Sequence, residues 1–147
     1  MYFLNLVATN LAIVATFMLA LWLLSLLKKD ASIVDPCWGL GFVILVWSTI
    51  FQVGGRDARS YLLAALVTVW GLRLSTYLAW RNYGEGEDRR YAKMREKHGN
   101  QFWWISLFTV FLLQGALMWI ISLAFQSGIF WSQTSPIGWV AAVGVAT

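Results

Sequence analysis

Arg73 lies inside an apolar run, with Tyr77 four residues on and Arg81 eight residues on. At helical spacing these share a face with Trp70 and with Trp80. A rise of about 1.5 Å per residue puts Arg73 about 12 Å deeper in the membrane than Arg81. Guanidinium groups pair with phosphate or carboxylate oxygens, and a tyrosine hydroxyl adds a donor, so the stripe has the makings of a slot for an anionic ligand at a bilayer edge. An arginine at that depth can also snorkel, or pair with an acid or with carbonyls of a neighbouring helix, and spacing alone leaves both readings open. Asp35 is the second candidate. Followed by Pro36 it has the pattern of a helix cap, and as an acid at a membrane mouth it could also donate a proton or a hydrogen bond to a carbonyl.

Other polar residues point to humbler roles. Gly84 to Asp88, G-E-G-E-D, reads as a flexible turn, since it matches no phosphate-loop pattern. Gln114 in mid-span predicts an interhelical hydrogen bond, and His98 predicts a helix end. Asn5 and Asn10 predict interfacial amides at the outer end of the first span. One cysteine, Cys37, and one histidine rule out an internal disulfide and argue against a protein-only zinc site, so no metal is expected.

The elements that must position these residues are membrane helices. Of 147 residues 59% are hydrophobic and 12% charged, with ten tryptophans and a mean hydropathy of +0.64, well outside the range of soluble domains. The net charge of +4 does not point to nucleic acid, because the basic residues sit in short loops between apolar runs. The expected fold is all-α: one helical membrane domain over 1–147, with spans near 4–27, 36–55, 60–80 and 103–125 and a partial fifth over 136–147. A short interfacial helix is expected over 87–97, with Tyr91 and Met94 on its apolar side, followed by an aromatic anchor, Phe102 to Trp104. Gly39 and Gly41 open room for a close helix or a flat ligand. The last apolar run is too short to span, which suggests a fragment of a longer protein. Eight basic residues follow spans one and three (Lys28, Lys29, Arg81, Arg89, Arg90, Lys93, Arg95, Lys97) and two follow span two (Arg56, Arg59). That asymmetry places the loop 81–101 in the cytoplasm and the N-terminus outside a multi-pass plasma (inner) membrane protein.

Three stretches carry a family resemblance: S-I-V-D-P-C-W-G-L-G-F from Ser32, W-G-L-R-L-S-T-Y-L-A-W-R-N-Y-G-E-G-E-D-R-R-Y from Trp70, and F-W-W-I-S-L-F-T-V-F-L-L-Q-G from Phe102. Across most of Ser32 to Leu123 the chain resembles the bacterial DUF1295 family. That family is similar to the membrane steroid 5-alpha-reductases and, more distantly, to isoprenylcysteine carboxyl methyltransferases. The resemblance implies an NADPH-dependent reductase acting on a C=C bond conjugated to a carbonyl in a lipid or steroid-like substrate. Arg73 and Tyr77, with Arg81, would hold the cofactor, and Asp35 would orient the substrate carbonyl. Trp70 stands where the reductases have a tyrosine that helps activate the carbonyl, and indole is a poor proton donor. The cytoplasmic stretch that closes over the nucleotide in those relatives has no counterpart here, so the 147-residue chain is expected neither to bind NADPH tightly nor to turn over alone. A membrane methyltransferase using S-adenosylmethionine and a non-enzymatic membrane protein are the alternatives.

Overall fold

The computed structural model describes residues 2–54 and 57–132; the expected partial fifth span lies outside the described residues. Every regular element among them is helical. Helix α1 (Phe3–Lys28) is nearly all aliphatic and ends where Lys29 turns left-handed. A 3-10 turn (Ala31–Ile33) leads into α2 (Val34–Val53), and α3 (Ala58–Asn82) follows a short polar turn. The short helix α4 (Arg89–His98) then precedes α5 (Phe102–Ser106), a π-helical turn (Leu107–Leu112) and α6 (Leu113–Ser132). Four helical runs are long and apolar enough to cross a membrane. At 26 residues α1 is about 39 Å long, against a hydrocarbon core of about 30 Å.

Helix α2 is the centre of the bundle and packs on α1, α3 and α6. The buried side of α1 is Leu6, Asn10, Val14, Met18, Leu21 and Ser25, a stripe at three- and four-residue steps. The buried side of α3 is made only of small residues, Ser60, Ala64, Gly71 and Ser75. Gly39 of α2 meets Gly71 of α3 so closely that a Cβ built on Gly39 would stand 2.2 Å from the Gly71 carbonyl oxygen. The glycine at position 39 therefore serves helix approach rather than a flat ligand, and Gly41 likewise makes room for the Met118 side chain.

Local sequence explains the breaks between helices. Asp57 caps α3 by accepting from the Ser60 N–H at 3.1 Å, and Asp88 caps α4 by accepting from the Arg90 N–H at 2.9 Å. The cap expected of Asp35 is not there. Helix α2 begins at Val34, and the acid that caps the preceding turn is Asp30, whose carboxylate accepts from the Ser32 N–H and hydroxyl. Asp35, already in the first turn, is left free for tertiary contacts.

Asn10 also departs from expectation, being fully buried rather than interfacial. Its amide donates to Thr49 Oγ1 (3.0 Å) and Gln126 Oε1 (2.9 Å), and its Oδ1 accepts from Ser48 (2.8 Å) and Gln52 (3.0 Å). One asparagine thus joins α1, α2 and α6. Hydrocarbon offers no competing partners, so polar groups in a span are driven to find each other. Of the aromatic anchor, Trp103 and Trp104 are exposed as expected, while Phe102 is buried with the Arg95 guanidinium 4.5 Å above its ring.

Candidate functional site

At the charged end of the bundle, the start of α2, the end of α3, the loop before α4 and the middle of the last span surround an open cavity of about 1080 Å³. Asp35 and Trp38 come from α2, Arg81 and Asn82 from α3, Glu85 to Arg90 from the loop and α4, and Gln114 from α6. Gly84 and Gly86 take positive φ, 81° and 73°, and let the loop double back over the helix ends.

A hydrogen-bonded chain fixes one wall. Asp35 accepts from the Tyr91 hydroxyl at 2.9 Å and from Arg90 Nη2 at 2.8 Å, and the Tyr91 oxygen in turn accepts from Gln114 Nε2 at 3.1 Å. This ties α4 to α2 and α6. The expected interhelical bond of Gln114 is present, and its partner is the interfacial helix. Tyr91 is 5% exposed, and Met94 packs beside it against the core, as their spacing predicts. Burial, then the neighbouring Asp35 charge and the bond to it, push the Tyr91 phenol far above its ordinary value, so it remains a donor. His98 closes α4 with a ring nitrogen 2.8 Å from the Met94 carbonyl.

Glu87 makes the second tie. It accepts from the Ala31 N–H at 2.9 Å and from Arg95 Nε and Nη2 at 3.0 and 2.8 Å, a bidentate pair. Burial works to raise its carboxyl, but the bonds from Arg95 and Ala31 outweigh it and hold the group below its ordinary 4.5. A carboxyl lowered on folding stabilises fully above its unfolded value and loses that contribution as pH falls through the folded one. Acidification from pH 7 to about pH 3 is therefore expected to loosen the loop and α4 before the apolar bundle opens. Amide exchange across residues 85–98 would report it, and protection unchanged down to about pH 3 would contradict this account.

The sequence candidates divide among three places. Asp35 and Arg81 line the same cavity. Trp70 lines a separate apolar pocket of about 370 Å³ with Phe42, Leu63, Val67, Ile121, Ala124 and Phe125. Arg73 and Tyr77 are on the outer face of α3, turned away from the buried side that Gly71 and Ser75 mark, and neither lines the cavity. Sequence reasoning had not paired Asp35 with Arg90 and Tyr91, which follow it by 55 and 56 residues. Nor had it singled out Trp38 and Asn82, whose buried donor atoms have no partner among the described residues. Trp38 packs edge-on against Phe42, which packs edge-on against Trp70, with ring centroids 5.3 and 5.5 Å apart. Three rings thus run from the polar cavity to the apolar pocket.

No cluster of potential metal ligands occurs among the described residues. No curated protein and no solved structure matches the chain. The family model described as "Protein of unknown function (DUF1295)" matches residues 21–147, every residue of the cavity included, and the chain belongs to that family.

Proposed function

We propose that this protein is a membrane-embedded reductase that uses NADPH to reduce a C=C bond conjugated to a carbonyl in a lipid or steroid-like substrate, in keeping with its resemblance to steroid 5-alpha-reductases. The observation that carries this reading is the cavity joined by aromatic rings to an apolar pocket: room for a polar cofactor at the water end, and for a hydrocarbon body beside it. The charge balance of the rim fits a nucleotide. Arg90 takes up Asp35 and Asp88, and Arg95 takes up Glu87. Arg81 and Arg89 make no ion pair among the described residues, against Glu85 as the remaining lining acid.

NADPH supplies the hydride when bound. Of the chain's own groups, Arg81 and Arg89 bind phosphate oxygens, and Asp35, held by Arg90 and Tyr91, serves as a hydrogen-bond acceptor of fixed direction. The Trp38, Phe42 and Trp70 rings exclude water from the junction, and the pocket beside Trp70 receives the apolar body of the substrate. The excess of basic residues at this end supports a cytoplasmic orientation in the cell membrane.

The test is a titration of the protein purified from its own membrane with NADPH, NADH and S-adenosylmethionine. Saturable but weak NADPH binding is expected, and Arg81→Leu is expected to weaken it about 10- to 100-fold further, the worth of a charged hydrogen bond of about 1.5–3 kcal/mol. No saturable NADPH binding would end the reductase reading. Preference for S-adenosylmethionine would transfer the cavity to a methyltransferase.

A further inference from the structure

Two residues that line the cavity carry buried donors with nothing to donate to. The indole N–H of Trp38 and the amide NH2 of Asn82 are shut off from water and unpaired among the described residues. Arg81 fixes which way the Asn82 amide faces, because its Nε donates to Asn82 Oδ1 at 3.3 Å and leaves the NH2 end over. An unpaired buried donor costs about 1–3 kcal/mol, and native proteins keep few of them unless a ligand or water completes the set. Both orphans are donors, so what completes them is an acceptor and not a cation. Trp38 follows Asp35 by three residues on α2, which sets the two side chains on one face about a turn apart, and both line the cavity. Asp35 offers its acceptor capacity beside them: each of its oxygens takes one bond from the protein, and a carboxylate has about four acceptor sites.

We infer that Asp35, Trp38 and Asn82 form a subsite for a ligand group that presents an N–H donor and an oxygen acceptor together. This rests on the cofactor reading of the cavity and gives that cofactor a direction. The group is the primary carboxamide of a nicotinamide, its carbonyl oxygen on the Trp38 and Asn82 donors and its NH2 on Asp35. The α-amino-acid end of S-adenosylmethionine carries the same pairing in charged form, and the test separates the two.

Trp38→Phe keeps a ring against Phe42 and removes the N–H, and Asn82→Asp replaces the orphan NH2 by an oxygen. Each variant of the full chain is titrated with NADPH, with the 3-acetylpyridine analogue of NADPH, in which a methyl replaces the amide nitrogen, and with S-adenosylmethionine. The melting temperature without ligand is recorded alongside. The expected result is NADPH binding about tenfold weaker in each variant, with the ligand-free melting point of Trp38→Phe equal to or above wild type, because its N–H was unpaired. Wild type is expected to bind the acetylpyridine analogue more weakly than NADPH. Unchanged NADPH affinity in both variants, or a clear fall in the ligand-free melting point of Trp38→Phe, overturns the subsite and leaves the reductase reading standing. If wild type binds S-adenosylmethionine instead, with the same sensitivity to both variants, the subsite stands with the amino-acid end as its occupant and the reductase reading falls. If neither ligand binds, both fall.

Discussion

Leucine in place of Gly39 is expected to lower the melting temperature, and the yield of folded protein with it, markedly. The obstacle is backbone, not side chain. A Cβ at position 39 would stand 2.2 Å from the Gly71 carbonyl oxygen and 2.6 Å from Ser75 Oγ, and a Cβ at position 71 would stand 2.6 Å from the Gly39 carbonyl oxygen. A flexible side chain could swing aside, but a helix carbonyl cannot move without moving α3. The remedy open to the chain is to separate α2 from α3, which unpacks the whole small-residue side of α3 and opens the cavity that the two helices share. Overpacking that forces backbone shifts costs about 1–3 kcal/mol and at times more, against a total stability of about 5–15 kcal/mol. Gly128→Ala is the control, since its added methyl would meet only Leu63 Cδ2 at 3.8 Å. Yield of monodisperse protein after size-exclusion chromatography and the melting temperature decide the matter. A Gly39→Leu protein that elutes and melts like wild type would mean that the two glycines do not set the helix spacing.

The second large effect is expected at the far end of the bundle. Asn10→Leu keeps side-chain volume and removes the hub to which Thr49, Gln126, Ser48 and Gln52 are bonded. Interhelical hydrogen bonds in membranes average about 0.6 kcal/mol each, but this change strands two buried and two half-buried partners together, so a loss of about 3 kcal/mol is expected. Asn5→Leu, at an exposed position on the same helix, is expected to be nearly silent. Equilibrium unfolding in mixed micelles would measure both. Equal stability of the two variants would show that the network contributes no more than a surface amide.

Much of the scaffold is written locally and could be read from the chain. Apolar runs give the spanning helices, Tyr91 and Met94 give the buried side of α4, and Gln114 announces a polar partner in a place that offers few. The pairings were illegible for a different reason. Asn10 meets residues 39 and 116 positions away, and Asp35 meets Arg90 and Tyr91 across a loop, so no window of sequence contains both ends of either bond. Asp35 misled because Asp-Pro is a good cap pattern, yet Asp30 had already capped the turn ahead of it. Helical spacing puts Arg73 and Tyr77 on one side of α3, but it does not say which side faces the bundle. Trp38 and Asn82 carried no signal, since a donor becomes conspicuous only once its surroundings are known to lack an acceptor.

The π-helical turn at Leu107–Leu112 makes chain length itself a specification of the site. Such a turn holds one residue more than the α-helix it interrupts. Trimming a single residue there would return the segment to ordinary helix with its flanks nearly in register, whereas trimming a second would swing everything beyond it by about 100° and draw it about 1.5 Å along the axis. Gln114, the second residue past the turn, would then point away from Tyr91. Substitutions in this stretch trade one apolar surface for another, whereas an insertion, or a deletion of more than the one extra residue, re-addresses the whole last span. The number of residues across 107–112 therefore constrains the position of Gln114 more tightly than their identities do.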